Sequence, residues 1–198
     1  MTEARVALAT RNPGKVIEIR SILADLPIEI VLPDDDWVAP PEHGETYREN
    51  AVEKASSLAR HLGMPALADD SGIEVDALDG APGPRSARFA GANASDEQNL
   101  SALIEALRGV PEPSRTARYR CVAALVTVTG GVTTAEGTVE GTLLTEPRGS
   151  GGFGYDPIFL PAGEMRTMAE LTPDEKDRIS HRGRAFRELG PALESLAP

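Results

Sequence analysis

Two long runs of strand character, Thr116 to Thr129 and Val132 to Thr142, meet at Gly130-Gly131. Strand-like sequence on both sides of a two-glycine joint predicts a hairpin. The rest of the chain reads as strand–helix units. Val6 to Ala9 forms a short buried strand, followed by a polar loop and by Val16, Ile19, Ile22, Leu23 and Leu26 at helical spacing. Asn12 is placed to cap that helix, with Pro13 at its first position. Ile28 to Leu32 reads as a second strand, and Asp34 to Glu45 is acidic, Pro-rich loop. A second helix runs from about Thr46 to Leu62, with Ala51, Ala55, Leu58 and Leu62 on one stripe and Glu49, Asn50, Glu53 and Lys54 on the other side. Ala66 to Ala68 is a short strand running into Asp69-Asp70-Ser71-Gly72, and Ile73 to Leu78 alternates as another. Gly80 to Gly91 is loop, Ser95 caps a helix to about Leu107, and Gly149 to Pro161 is glycine-rich loop. Thr172 to Leu196 is helical apart from a break around Ser180. Strand–helix units joined to a long hairpin predict an α/β fold with a mixed sheet. No repeat or long linker divides the 198 residues, so one domain over 1–198 is expected.

Composition narrows the partners. The net charge is −11, against the basic surface that nucleic acid or an anionic membrane requires, so neither is an expected partner. A polyanionic ligand must instead be met by locally concentrated cations. Arginine supplies 17 of the 20 basic residues, and the three lysines are Lys15, Lys54 and Lys176. That skew is either a bias of composition or a sign that these positions need a compact ammonium. The single cysteine, Cys121, excludes an internal disulfide and a multi-cysteine zinc site. Four apolar residues at Val6 to Ala9 are too few for a signal peptide, and no run approaches a membrane span, so a cytoplasmic protein is expected.

Four segments carry chemistry-bearing residues. Thr10-Arg11-Asn12-Pro13-Gly14-Lys15 follows a strand and opens a helix, where unsatisfied N–H groups and the helix dipole attract an anion. It is not a Walker A loop, and a plain capped helix is the alternative. Asp69 and Asp70 follow an apolar strand, where ligands bind in α/β sheets, and in an extended chain they point to opposite sides. With Glu42 or Glu49 they would make an oxygen-rich nest for Mg²⁺. Asp-Ser-Gly is also good turn chemistry, and Ser71 with one of His43, His61 or His181 would suit a serine hydrolase. Gly149 to Gly154 matches Gly-x-Gly-x-x-Gly, but Tyr155-Asp156-Pro157 cannot open a helix, so a dinucleotide site is excluded. There Phe153 or Tyr155 could stack on a base or be a buried anchor. Lys176, His181 and Arg182 gather near a helix junction, where His181 and Arg182 could donate to a purine 6-oxo group.

Taken together, these segments resemble the inosine triphosphate pyrophosphatase family. The motifs are Thr-x-Asn-x-x-Lys at Thr10 to Lys15, Glu-Asn-Ala-x-x-Lys at Glu49 to Lys54, and Ala-Asp-Asp-Ser-Gly at Ala68 to Gly72. Gly-Ala-Pro-Gly at Gly80 to Gly83, Ser-Ala-Arg-Phe at Ser86 to Phe89 and Gly-Gly-Phe-Gly-Tyr-Asp-Pro-Ile-Phe at Gly151 to Phe159 follow. Glu175-Lys176 and Ser-His-Arg-Gly at Ser180 to Gly183 complete a set spanning nearly the whole chain.

The resemblance implies a long central mixed sheet with flanking helices, two lobes around a nucleotide-binding cleft, and a homodimer. It implies Mg²⁺-dependent hydrolysis of ITP, dITP and XTP to the monophosphate and pyrophosphate, which cleanses the nucleotide pool. Carried over by position, Thr10, Arg11, Asn12, Pro13, Gly14 and Lys15 would bind phosphates. Asp70, Asp69 and Lys54 would form the catalytic set. Asp70 and Glu42 would hold the metal, with Glu49 as the alternative to Glu42. Ser71, Phe153, Gly154, Tyr155, Asp156, Lys176, His181 and Arg182 would bind the nucleotide. A broad nucleoside triphosphatase and a nucleotide-sensing module that binds without turnover are the competing readings.

Overall fold

The computed structural model describes residues 4–196. Its six-stranded sheet has the order β2-β1-β3-β4-β5-β6. The strands are β1 (Ala4–Leu8), β2 (Ile28–Val31), β3 (Ala66–Val75), β4 (Thr116–Val126), β5 (Val132–Leu143) and β6 (Phe159–Pro161). The helices are α1 (Pro13–Ile22), α2 (Tyr47–Leu62), α3 (Asp96–Ala106), α4 (Pro173–Ile179) and α5 (His181–Glu194). β1 is parallel to both β2 and β3, whereas β6 is antiparallel to β5, so the sheet is mixed as expected. The predicted hairpin is present, closed where Thr127 N–H donates to the Gly131 carbonyl at 2.9 Å. No helix among the described residues is long and apolar enough to cross a membrane.

Helix starts follow local chemistry. The Asn12 side chain accepts from the N–H groups of Gly14 and Lys15, with Pro13 in the first turn. Thr46, Ser95 and Thr172 cap α2, α3 and α4 in capping boxes with Glu49, Gln98 and Glu175. Ser180 separates α4 from α5.

One expectation is corrected. Asp69 to Gly72 is not a turn between two short strands, because a single ten-residue β3 runs from Ala66 to Val75. Asp-Ser-Gly favours a turn only where water can satisfy it. Here β3 lies between β1 and β4, and ladder bonding plus charged partners hold the polar residues extended.

The chain divides into two compact units. The first comprises 1–70, 121–137 and 182–198, and the second 71–120 and 138–181. In the first, strand alternation feeds two cores. Val6, Leu8, Leu67, Cys121, Ala123 and Leu125 pack with Ile19 of α1 and Phe186 of α5. Ala7, Ala9, Ala66, Ala68, Val122, Ala124 and Val126 pack with Trp37 and with Ala51, Ala55 and Leu58 of α2. Period-two alternation on a sheet covered on both faces dictates this split. In the second unit, Ile73, Val75, Leu103, Leu107, Tyr119, Val139, Tyr155 and Phe159 form a separate core.

Candidate active site

The order of strands locates the first cluster. From β1 the chain goes to β2 on one side and returns to β3 on the other, and both neighbours are parallel to β1. Such a reversal is a topological switch point, where open α/β sheets bind ligands beyond the strand carboxyl ends. The β1–β3 register runs Ala7↔Ala66 and Leu8↔Leu67, so Asp69 and Asp70 follow just beyond the last β1 pair, where the Thr10–Lys15 loop begins.

Alternation sends the two carboxylates to different faces. Asp69 shares the parity of Leu67 and meets α1 and α5: Lys15 Nζ lies 3.0 Å and Arg182 Nη2 3.1 Å from its Oδ2. The Arg182 guanidinium also donates to Glu18 of α1. Burial by itself would raise the Asp69 pKa, but Lys15, Arg182 and Lys54 outweigh it and hold the carboxyl far below the usual carboxylate range. Asp70 shares the parity of Ala68 and meets α2. Asn50 Nδ2 donates to its Oδ2 at 2.9 Å, and Lys54 Nζ lies 3.4 Å from Oδ1. Burial pushes the Asp70 pKa up, and the nearby Glu42 carboxylate adds to this against the opposing pull of Lys54, Lys15 and Asn50. The surroundings of the two adjacent carboxyls thus drive their proton affinities apart, down at Asp69 and up at Asp70.

Asn50 and Lys54 are where α2 departs from expectation. Both lie on its buried side, at 1% and 8% exposure, beside Ala51, Ala55 and Leu58 rather than facing solvent. Their spacing, one helical turn, aims both at Asp70. The Gly44 N–H donates to Asn50 Oδ1 at 2.9 Å, which turns the amide nitrogen toward Asp70. A Cβ at Gly44 would sit 2.5 Å from that oxygen. Lys54 Nζ reaches Glu42 Oε1 at 2.8 Å. Burial would lower the Lys54 pKa, but Asp70, Glu42 and Asp69 raise it above its ordinary value. Of the two acids weighed as a second metal ligand, Glu42 is therefore the one brought to Asp70. Glu49 is exposed at the start of α2, its Oε2 accepting from the N–H groups of Glu45 and Thr46 at 2.9 and 3.1 Å.

The phosphate-loop expectation is partly revised. The N–H groups of Gly14 and Lys15 are taken by the Asn12 side chain at 2.9 and 3.2 Å, and Thr10 Oγ1 accepts from Asn12 N–H. Arg11 turns away from the helix start and donates to the carbonyls of Asp34 and Trp37, each at 2.7 Å, clamping that loop. What the segment offers an anion is the Lys15 ammonium, the Thr10 hydroxyl and the α1 dipole.

The second cluster lies in the second unit. Asp156, buried, accepts from Lys176 Nζ, from the Phe153 N–H at 2.9 Å and from the Tyr119 hydroxyl at 3.3 Å. Lys176 Nζ stands 4.9 Å from the centre of the half-buried Phe153 ring. His181 stacks flat on Tyr119, with centroids 4.5 Å apart and 6° between planes. A side chain at Gly152 would collide with the Asp156 carboxylate, and its φ of +69° is itself a glycine conformation. The Gly154 N–H donates to Asp96 at 3.0 Å.

Tyr155, offered as a stacking residue, is the buried anchor of this loop, its hydroxyl donating to the Ser86 carbonyl at 2.7 Å. Phe153, by contrast, is half-buried, with the Lys176 ammonium over its ring. Ser71 lies half-buried within β3. Arg182 belongs with Glu18 and Asp69 in the first unit, while His181, its neighbour in sequence, belongs to the second. Sequence reasoning missed Tyr119, which carries no motif. It assigned no role to Asn50, whose polar side chain beside an alanine stripe was the available signal.

Two hard oxygen ligands, Asp70 and Glu42, fit Mg²⁺, which takes one or two carboxylates together with substrate phosphates and water. No group of three or more His, Cys, Asp or Glu among the described residues could form an all-protein cage.

Comparison with known proteins supplies the relationships. The Ham1 family model matches residues 6–192. The chain is 50% identical over 196 residues to a dITP/XTP pyrophosphatase of Streptomyces coelicolor, covering 97% of this chain and 98% of that one. It is 47% identical over 194 residues to a dITP/XTP pyrophosphatase of Shigella flexneri, covering 96% and 98%. Among solved structures it is similar to a HAM1 protein from Coxiella burnetii, with TM-score 0.87, 40% identity and coverage of 97% and 99%. It is also similar to a nucleoside-triphosphatase / dITP/XTP pyrophosphatase from Mycobacterium abscessus, with TM-score 0.73, 41% identity and coverage of 96% and 99%. The relationship expected from the motifs agrees with these matches.

Proposed function

The chain belongs to the Ham1 family, and from that premise we infer that it is a nucleoside triphosphate pyrophosphatase. It hydrolyses non-standard purine nucleotides of the ITP, dITP and XTP class to the monophosphate and pyrophosphate. The observation that carries this reading is the Asp69–Asp70 pair at the switch point, one carboxyl held ionised and its neighbour raised in proton affinity.

The geometry supports the following roles. Asp70, oriented by Asn50, is the group that takes a proton from the attacking water. Lys15, held by Asp69, faces the triphosphate charge. Asp70 and Glu42 would hold Mg²⁺, which when bound neutralises phosphate charge and polarises the phosphorus. Lys54 then balances charge on the departing pyrophosphate. Phe153 stacks on the purine, and Lys176 and His181 carry the donors that a 6-oxo group accepts. Adenine, with an amino group there, leaves such donors unpaired, a loss typically of about 10²-fold or more.

The homodimer, the Mg²⁺ requirement, a cytoplasmic location and the absence of a nucleic-acid partner are proposed on the family resemblance, with the acidic net charge of −11 supporting the last. One assay tests the central reading: incubation with ITP, XTP, GTP and ATP, with and without Mg²⁺, followed by identification of the products. Metal-dependent pyrophosphate from ITP and XTP alone is expected. Orthophosphate from all four would make the chain a broad triphosphatase, and binding without turnover a sensor. Sedimentation velocity at micromolar concentration tests the dimer.

A further inference from the structure

Glu42 and Asp70, the carboxylates assigned to the metal, already share a cation supplied by the chain. Lys54 Nζ is 2.8 Å from Glu42 Oε1 and 3.4 Å from Asp70 Oδ1, and the residue is almost fully buried. The surroundings hold this arrangement firmly. Asn50, one turn before Lys54 on α2, takes the other Asp70 oxygen at 2.9 Å. Gly44, two residues after Glu42, fixes the same Asn50 side chain. A buried and a partly buried carboxylate that share one neighbourhood call for a countercharge, and Lys54 provides it.

We propose that Lys54 is a built-in stand-in for the divalent cation: its ammonium keeps Glu42 and Asp70 together, competes with the free ion, and gives up the position only when a nucleoside triphosphate offers it new partners. This rests on the pyrophosphatase reading and adds the order in which the site fills. When a free dication binds, Lys54 is left buried beside a larger positive charge with its carboxylates engaged elsewhere. When a triphosphate is bound, the same ammonium turns to phosphate oxygens and the repulsion is relieved. Metal and nucleotide therefore bind with positive coupling, and each strengthens the other by the same factor. The arrangement keeps Asp70 from holding a metal ion idly between turnovers.

The test is a titration of the full chain with Mn²⁺, followed by electron paramagnetic resonance and by calorimetry, with and without an α,β-imido analogue of dITP that cannot be cleaved. In the wild-type protein the analogue should tighten Mn²⁺ binding roughly tenfold or more, within the usual range of such coupling. In Lys54→Met, Mn²⁺ alone should bind roughly tenfold more tightly than to wild type. The further tightening by the analogue should be smaller than in wild type, leaving what direct phosphate coordination supplies. Lys54→Arg, which keeps the charge, should retain weak binding of the metal alone. Equal wild-type Mn²⁺ affinity with and without the analogue overturns the proposal, as does a Lys54→Met protein that binds Mn²⁺ no better. If Lys54→Met does not fold, Lys54→Gln carries the same expectations and decides in its place. A chain that releases pyrophosphate from dITP but shows no coupling loses this inference alone. A chain that releases none loses the functional reading.

Discussion

Around Asp69 and Asp70 nearly every neighbour is charged: Lys15, Lys54, Arg182, Glu18 and Glu42 all lie in the first unit. Around Asp156 in the second unit stand Lys176, a loop N–H, a tyrosine hydroxyl and aromatic rings. Each centre is built on buried aspartate, yet only the first gathers many ions of both signs. A set of alternating ions suits a triphosphate and its metal, whereas one ion pair among rings suits a flat heterocycle. The three lysines divide between the two, and each pairs with an aspartate of a sequence motif: Lys15 with Asp69, Lys54 with Asp70, Lys176 with Asp156. Their scarcity thus coincides with position, which favours the reading that these sites need an ammonium.

The largest effect expected of a single substitution falls on the first centre's permanent anion. Asp69→Asn leaves the buried Arg182 and the partly buried Lys15 without the charge of their shared partner, a change that costs about 3 kcal/mol or more. Urea unfolding followed by circular dichroism measures it, and a loss below about 1 kcal/mol would remove Asp69 from its structural role. Asp70→Asn should behave oppositely. Its surroundings already disfavour the charged form, so stability changes little, while pyrophosphate release falls roughly 10²-fold with nucleotide binding retained. Near-normal turnover would take Asp70 out of the base role.

A smaller pair of effects separates the two centres directly. Lys15→Ala should raise KM or lower turnover for every triphosphate and leave the ITP-to-GTP ratio unchanged. Phe153→Ala should lose stacking worth about 1 kcal/mol, roughly fivefold in KM, for ITP and GTP alike, because every base offers a π-face. If Lys15→Ala shifts the ratio, Lys15 belongs near the base and the assignment of charge to the first centre fails.

Much of this was legible in the sequence, for reasons that differ by residue. Asn12-Pro13 and Ser95 declare helix starts because capping is local chemistry, and the Gly130-Gly131 hairpin is equally local. The opposed directions of Asp69 and Asp70 follow from strand geometry alone, once both lie in one strand. That they do was hidden, because the satisfaction of Asp-Ser-Gly within β3 depends on charges from α1, α2 and α5. Arg11 was misplaced for a similar reason: its clamp on Asp34 and Trp37 is a contact across more than twenty residues that no local pattern encodes. Tyr155 and Phe153, two residues apart in one glycine-rich loop, are alike in sequence. Only the second unit's core tells the buried Tyr155 from the half-buried Phe153.

The smallest expected effect concerns Glu175, which steadies α4, the helix carrying Lys176 of the second centre. Arg166 donates to its carboxylate from Nη1 and Nη2 at 3.1 and 3.0 Å, and the Thr172 N–H adds a bond at 2.8 Å. Arg166 first, then Thr172, hold its pKa down at about 2 from an ordinary 4.5. A carboxyl with a lower pKa folded than unfolded contributes its full stabilisation above the unfolded value and loses it as pH falls through the folded one. The difference in Tm between wild type and Glu175→Gln should therefore be constant near neutrality and shrink between pH 4.5 and about 2. Glutamine keeps an acceptor for the cap, so a difference that persists unchanged in acid would assign the effect to cap geometry rather than to charge. Salt should weaken it as well, because this pair is exposed, whereas the buried pairs of the first centre are screened far less.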